Sequence, residues 1–270
     1  MEDHKETAQP FTKDHLAMER MPGHWVLAQM GKRVLRPGGM ELTRAMLDAL
    51  AIGATDRVVE LAPGLGATAA LTLGRGPQSY TAVERDKNAA ASVGSFVERH
   101  GGFCRQGTAE DTGLPDQSAT VVYGEAMLTM QTSAHKTAIV REAARVLEQG
   151  GRYGIHELCL APDDLDEEVK AQVLGDLSRE VHVGVRPLTL AEWRALLESE
   201  GLRVQWTRTA SMHLLEPRRV LRDEGLIGGL SFAFNVLRSP IARRRVRGMR
   251  RVFRTHSKHM SAVSLVATKQ

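Results

Sequence analysis

From Arg57 onward the chain alternates two hydrophobic rhythms: short apolar runs, and longer stretches with an apolar residue every three or four positions. The short runs are RVVELA (57–62), SYTAVE (79–84), GFCRQG (102–107), ATVVYG (119–124) and GRYGIHEL (151–158), and they predict strands. Between them, residues 66–74, 86–100 and 133–148 predict helices; Ser133 is placed to cap the last and Gly150 to end it. Strands alternating with helices imply an α/β fold with a mostly parallel sheet covered on both faces.

The flanks follow other patterns. Residues 1 to about 37 look helical with breaks and stop at Pro37-Gly38-Gly39; a helix from Met40 to Ala51 then carries Leu42, Met46, Leu47 and Leu50 on one face. After Leu160 come an acidic helix (163–180), a second helix (189–202) and a long strand-like run, RVQWTRTASMHLL. Two helices follow, about 217–237 and 240–256, before a final strand, SAVSLVAT. The expected organisation is one domain over 1–270. It has a helical cap at 1–50, a ligand-binding core at 51–160, and a substrate-side half at 161–270 with a helical lid at about 217–256.

Composition adds limits. The 270 residues, 42% hydrophobic and 25% charged, are those of an ordinary globular protein, and no apolar run is long enough to span a membrane. The polar start, MEDHKETAQPFTKDH, does not read as a signal peptide, and Cys104 and Cys159 sit in separate strand-like runs, so a cytoplasmic protein with reduced thiols is expected. The net charge of +4 is uneven. Arg238 to Lys258 holds nine basic residues and no acid, and the remaining 27 basic against 32 acidic residues leave −5 elsewhere.

The first strand-like run leads into VVELAPGLGATAAL, residues 58–71. In a strand–helix–strand nucleotide fold this turn brings backbone against the ligand, and Gly64 and Gly66 suit it because they carry no Cβ. Glu84 ends the second strand 18 residues beyond Gly66, where an acid accepts ribose hydroxyls. Glu60 discriminates between ligands. A carboxylate about 4 Å from a pyrophosphate charge costs on the order of 4 kcal/mol at an effective dielectric near 20. S-adenosylmethionine, with an ammonium and a sulfonium and no phosphate, is the expected cofactor. No His/Cys cluster has metal-ligand spacing, so no metal is expected.

These segments in order resemble the class I, Rossmann-like S-adenosylmethionine-dependent methyltransferases, and within them the small-molecule group that includes the ubiquinone- and menaquinone-biosynthesis enzymes. The resemblance covers about Arg57 to Leu158. It implies a seven-stranded sheet, with VVELAPGLG as the glycine-rich loop and AVERD, containing Glu84 and Arg85, as the ribose segment. It makes GTAEDTGLP the adenine-side segment and VLEQGGRYGIHEL the helix, turn and fifth strand. Two positions depart from the family pattern: Ala62 stands for the first glycine, and Thr108 for an aspartate that faces the adenine amino group. The backbone of Ala109 is left to hold the adenine edge, with Glu110 or the Thr108 hydroxyl receiving the amino hydrogen. The expected cofactor set is thus Glu60, Ala62, Gly64, Gly66, Glu84, Arg85, Thr108, Ala109, Glu110 and Glu125.

Methyl transfer from a sulfonium needs alignment and exclusion of water, and a base only where the nucleophile arrives protonated. The expected catalytic candidates are Glu125, just past the fourth strand, and Glu157, at the end of the fifth; His156 is expected to face the opposite side from Glu157. Met127 and Met130, with Met18, Met21, Met30 and Met40, suggest an apolar substrate surface or ordinary packing. There is no Asn-Pro-Pro-Tyr stretch and no Pro-Cys element, and aromatics are 4% of the chain, so nucleic-acid substrates are disfavoured. The expected partner is a small hydrophobic or amphipathic metabolite. The arginine-rich segment suggests contact with an anionic substrate or membrane surface, and its apolar stripe (Ile241, Val246, Met249, Val252, Phe253) an ordinary solvated helix. RNA methylation through those arginines and a non-catalytic cofactor-binding scaffold are the alternatives.

Overall fold

The structure is a computed structural model and describes residues 15–270; the predicted helical positions 1–14 lie outside the described residues. In chain order the elements are α1 (His15–Arg20), α2 (Gly23–Gln29), α3 (Gly39–Ala49), β1 (Arg57–Leu61), α4 (Ala67–Leu73), β2 (Ser79–Glu84), α5 (Lys87–Arg99), β3 (Phe103–Gln106) and β4 (Ala119–Glu125). There follow α6 (Ser133–Val146), β5 (Leu147–Leu160), α7 (Glu167–Val181), β6 (Leu188–Thr189), α8 (Leu190–Ser199), β7 (Leu202–Ser211), α9 (Pro217–Arg238), α10 (Pro240–Thr255) and β8 (Met260–Lys269).

The sheet order is β3-β2-β1-β4-β5-β8-β7, with two-residue β6 pairing with the end of β5. β1 to β5 pair in parallel and β8 runs antiparallel to both β5 and β7. The strand order reverses between β1 and β4, the position where an α/β sheet opens a crevice at its carboxyl edge. This is the expected Rossmann-like sheet of seven long strands, with β6 as an addition.

The central strands are apolar because both faces are covered. Tyr80, Tyr123, Met46, Leu47 and Leu50 pack together under α3, α4 and α5. On the other face Ile139 and Val140 of α6 meet Trp193 and Leu197 of α8 over Val122, Tyr153 and Ile155. A third cluster lies beyond the sheet, where α2, α7, α9 and α10 pack around Leu160, Leu177, Phe232 and Met249. Met30 and Met127 belong to these clusters, so for them packing is the observed role.

Local chemistry fixes the helix starts. Asp86 caps α5 by accepting from the amides of Asn88 and Ala89, and Thr189 with Glu192 forms a reciprocal capping box on α8. Two expectations are corrected. Thr132, not Ser133, caps α6, its hydroxyl accepting from the His135 amide. The same helix ends at Val146, because Leu147 enters the sheet beside Ala119; Gly150, at φ 77°, lies inside an irregular stretch of β5. α9 is kinked at Gly225 (φ 74°, ψ 174°), a conformation open to glycine.

Candidate active site

The β1–α4 loop is built from left-handed backbone. Ala62 has φ 53°, Gly64 φ 55° and Gly66 φ 74°, and Gly66 forms the N-cap of α4. An alanine in this region carries a Cβ–carbonyl clash of about 1–2 kcal/mol, which accounts for the family's use of glycine at Ala62. A Cβ on Gly64 meets no atom within 4 Å, so the loop faces open space there. Glu84 borders that space from the end of β2: its Oε2 accepts from the Gly64 amide at 3.4 Å and its Oε1 from the Asp86 amide at 2.9 Å. Arg85 beside it is exposed.

Glu60 does not stand at the loop's mouth. The strand register sets it opposite Tyr123 on β4, with Tyr80 on the same face of β2, and its Oε2 accepts hydrogen bonds from both tyrosine hydroxyls, the Tyr123 bond being 2.6 Å. It is 3% exposed, and burial pushes its carboxyl up to about 7 against the lowering effect of the two hydroxyls. The expected repulsion of a pyrophosphate required an ionised, outward carboxylate; near neutral pH this one is only partly ionised and points beneath α4.

At the other side of the crevice a polar cluster closes over the ends of β4 and β5. Glu125 accepts hydrogen bonds from the hydroxyls of Thr43 and Thr68, and forms ion pairs with Arg36 at 3.1 Å and His156 at 2.7 Å. Burial alone raises its pKa, but Arg36 and His156 outweigh it and hold the carboxyl down at about 2. His156 Nδ1 faces the Glu125 carboxylate and Nε2 the Pro37 carbonyl. Arg36 Nε is buried without a hydrogen-bond partner among the described residues. Arg36 itself rides on the segment between α2 and α3, which α9 latches: Glu224 accepts from the Arg33 and Val34 amides and from Lys32, and Asp223 from the Met40 amide.

Glu157, on the opposite side of β5 from His156, is fully buried. Its carboxylate accepts from the amides of Met127, Leu128 and Thr129 and from the Thr129 hydroxyl, at 2.7–3.0 Å. It fastens the β4–α6 loop, where Leu128–Met130 forms a short 3-10 turn. Glu157, expected as a base, spends its carboxylate on three backbone amides and a hydroxyl, and Glu125 is held ionised near neutral pH among its partners. On the adenine side, the Thr108 hydroxyl accepts from the Asp111 amide at 3.2 Å, half-buried Ala109 packs against the core, and Glu110 lies 3.3 Å from His135. Arg36, Thr43, Thr68 and His156 were not among the expected site residues. Their only sequence signals are the acid after β4 and the polar pair His156-Glu157 inside an apolar strand.

Comparison with known proteins agrees with this geometry. Residues 59–155 match the family described as "Methyltransferase domain". A Haemophilus influenzae protein described as uncharacterised is 29% identical over 80% of this chain and 86% of its own length. The Bacillus subtilis uncharacterised methyltransferase YcgJ is 33% identical over 56% of this chain and 59% of its own. Haemonchus contortus phosphoethanolamine N-methyltransferase 2, solved with S-adenosyl-L-methionine, superposes with a TM-score of 0.69 at 14% identity, covering 92% of this chain and 56% of that one. At such identity the superposition speaks for the fold, and the sequence match for the domain. Residues 59–155 thus match a methyltransferase domain, and the fold around them is the Rossmann-like one of S-adenosylmethionine-dependent methyltransferases. A specific tie to the ubiquinone-biosynthesis enzymes is not part of these matches.

Proposed function

We propose that this protein transfers a methyl group to a small hydrophobic or amphipathic organic acceptor. The observation that carries the reading is the glycine loop: Gly64 faces open space while the Glu84 carboxylate lies against its amide, a cradle that a Cβ would intrude upon. When bound, S-adenosylmethionine supplies a methyl group activated on a sulfonium. Glu84 is suited to accept the ribose hydroxyls, with Arg85 beside it, and Ala62, Gly64 and Gly66 to keep the backbone close. Thr108, Ala109 and Glu110 border the expected adenine side.

Arg36, whose buried Nε has no hydrogen-bond partner among the described residues, suits the anchoring of the methionine carboxylate. Glu60, beneath the loop, is suited to compensate the ammonium from below by releasing its proton. With Glu125 and Glu157 both occupied, the residues act by aligning the acceptor and excluding water, not by withdrawing a proton. The segment from Lys32 to Met40, held by α9, is the cover over the site. The Haemonchus enzyme, also solved with phosphomonomethylethanolamine, offers a small-molecule precedent.

Thermal shift tests the reading. S-adenosylmethionine and S-adenosylhomocysteine are expected to raise the melting temperature of the native protein, NADH is not, and Glu84→Ala is expected to lose the response. No response of the native protein to either adenosyl ligand overturns the proposal.

A further inference from the structure

We propose that the outer face of α9 docks on an anionic lipid bilayer. Beyond the Gly225 kink this helix runs for about 20 Å and is apolar on two sides. One side packs inward through Gly229, Phe232 and half-buried Val236. The other carries Leu226, Ile227, Leu230, Phe234 and Leu237, each between 57% and 88% exposed, all within about 100° of the helix circumference. Of the eight exposed large hydrophobic side chains among the described residues, six belong to α9, so the exposure is concentrated and not scattered. Monomeric soluble surfaces rarely leave such a strip uncovered.

The surrounding charge selects the occupant. From Gly225 to Lys258 there is no acidic residue. The Arg238 guanidinium stands 5.4 Å from the Phe234 ring centre, at the edge of the apolar strip. α10 begins two residues later and packs against α9. Some of its arginines are committed within the protein: Arg245 donates to the carbonyls of Met18, Glu19 and Met21, Arg244 pairs with Glu19, and Arg250 and Arg254 grip Glu216. Arg243, Arg247 and Arg251 recur at four-residue intervals on one stripe and have no ion-pair partner among the described residues. A second copy would bring no acid from this segment to pair with them. Residues 1–14 contain only Met1 and Phe11 as large apolar side chains, too few to cover the strip. A bilayer with anionic headgroups accepts both the apolar strip and the cations.

The test is co-sedimentation with phosphatidylcholine vesicles, with and without phosphatidylglycerol. Native protein is expected to bind the anionic vesicles, lose that binding at high salt, and ignore pure phosphatidylcholine. Replacing Ile227, Leu230 and Phe234 with serine is expected to weaken binding about a hundredfold or more. Replacing Arg243, Arg247 and Arg251 with glutamine is expected to weaken it by about a hundredfold. Ile227 is 88% exposed, so Ile227→Ser alone should leave the fold intact and weaken binding about tenfold. The thermal response to S-adenosylhomocysteine should persist in every variant; its loss in native protein counts against the methyltransferase reading and leaves docking standing. No binding to anionic vesicles overturns the proposal, as does equal binding to neutral ones. A vesicle-independent dimer that Ile227→Ser makes monomeric would assign the face to self-association instead.

Discussion

The two sides of the crevice use the same residue type in opposite ways. On the β2 side, the Glu84 carboxylate accepts from two backbone amides among the described residues and borders open space above Gly64. On the β4–β5 side, Glu125 and Glu157 are closed in by partners, Glu125 by two hydroxyls, Arg36 and His156, Glu157 by three amides and a hydroxyl. A strand-end acid is thus available to a ligand only where its neighbours have left its lone pairs free, and position along the strand does not reveal that. The acid of the first side should therefore behave as a ligand-binding group, and the two acids of the second as structure.

The largest break in this contrast should come from Glu157→Ala. Three amides and a hydroxyl would be left buried without an acceptor, and unfolding in urea should show a loss of about 3–5 kcal/mol. Next is the pH dependence carried by Glu60. Its folded pKa of about 7 lies above the ordinary 4.5, so in that window the native protein holds a proton the unfolded chain has released. Stability should therefore fall as pH rises through the window, by up to about 3 kcal/mol, and Glu60→Gln should flatten the slope and favour the variant at pH 8. Glu125 has the opposite sign. With its pKa held at about 2, its contribution is present above 4.5 and is lost as pH falls toward 2, so acid unfolding of Glu125→Gln should lack that component.

Glu84→Ala sharpens the comparison from the binding side. It should cost about 1 kcal/mol of stability or less, yet weaken S-adenosylhomocysteine about a hundredfold in titration calorimetry, the worth of two charge-assisted hydrogen bonds. The smallest effect is expected at Ala62. Glycine there relieves the left-handed strain but frees the unfolded chain, and the net gain of about 1 kcal/mol should raise the melting temperature by roughly 2–4 °C.

The elements were largely legible in the chain because apolar period and caps are local. β2 appears at its predicted bounds, and the kinked α9 and basic α10 fall within a residue of theirs. Errors arose where a tertiary contact set the boundary, as at Leu147, which leaves α6 to join β4. The glycine loop and Glu84 were legible for the same local reason. The polar cluster was not: Arg36 lies 89 positions from Glu125, and His156 reaches Pro37 across 119, separations that no window along the sequence connects. Glu60 was misplaced because nothing in VVELAP announces Tyr80 and Tyr123 on the neighbouring strands.

The alternation of His156 and Glu157 also bears on how genes of this kind can change length. Those neighbours serve opposite faces of β5, so gaining or losing one codon beside them would exchange an ion cluster for a loop fastener and ruin both. Upstream, the pairing with β4 slips between Ala119 opposite Leu147 and Val121 opposite Arg152, leaving Glu148 to Gly151 outside the regular ladder. Insertions and deletions should therefore be tolerated in that four-residue stretch, while Tyr153 to Leu160 evolves by substitution alone.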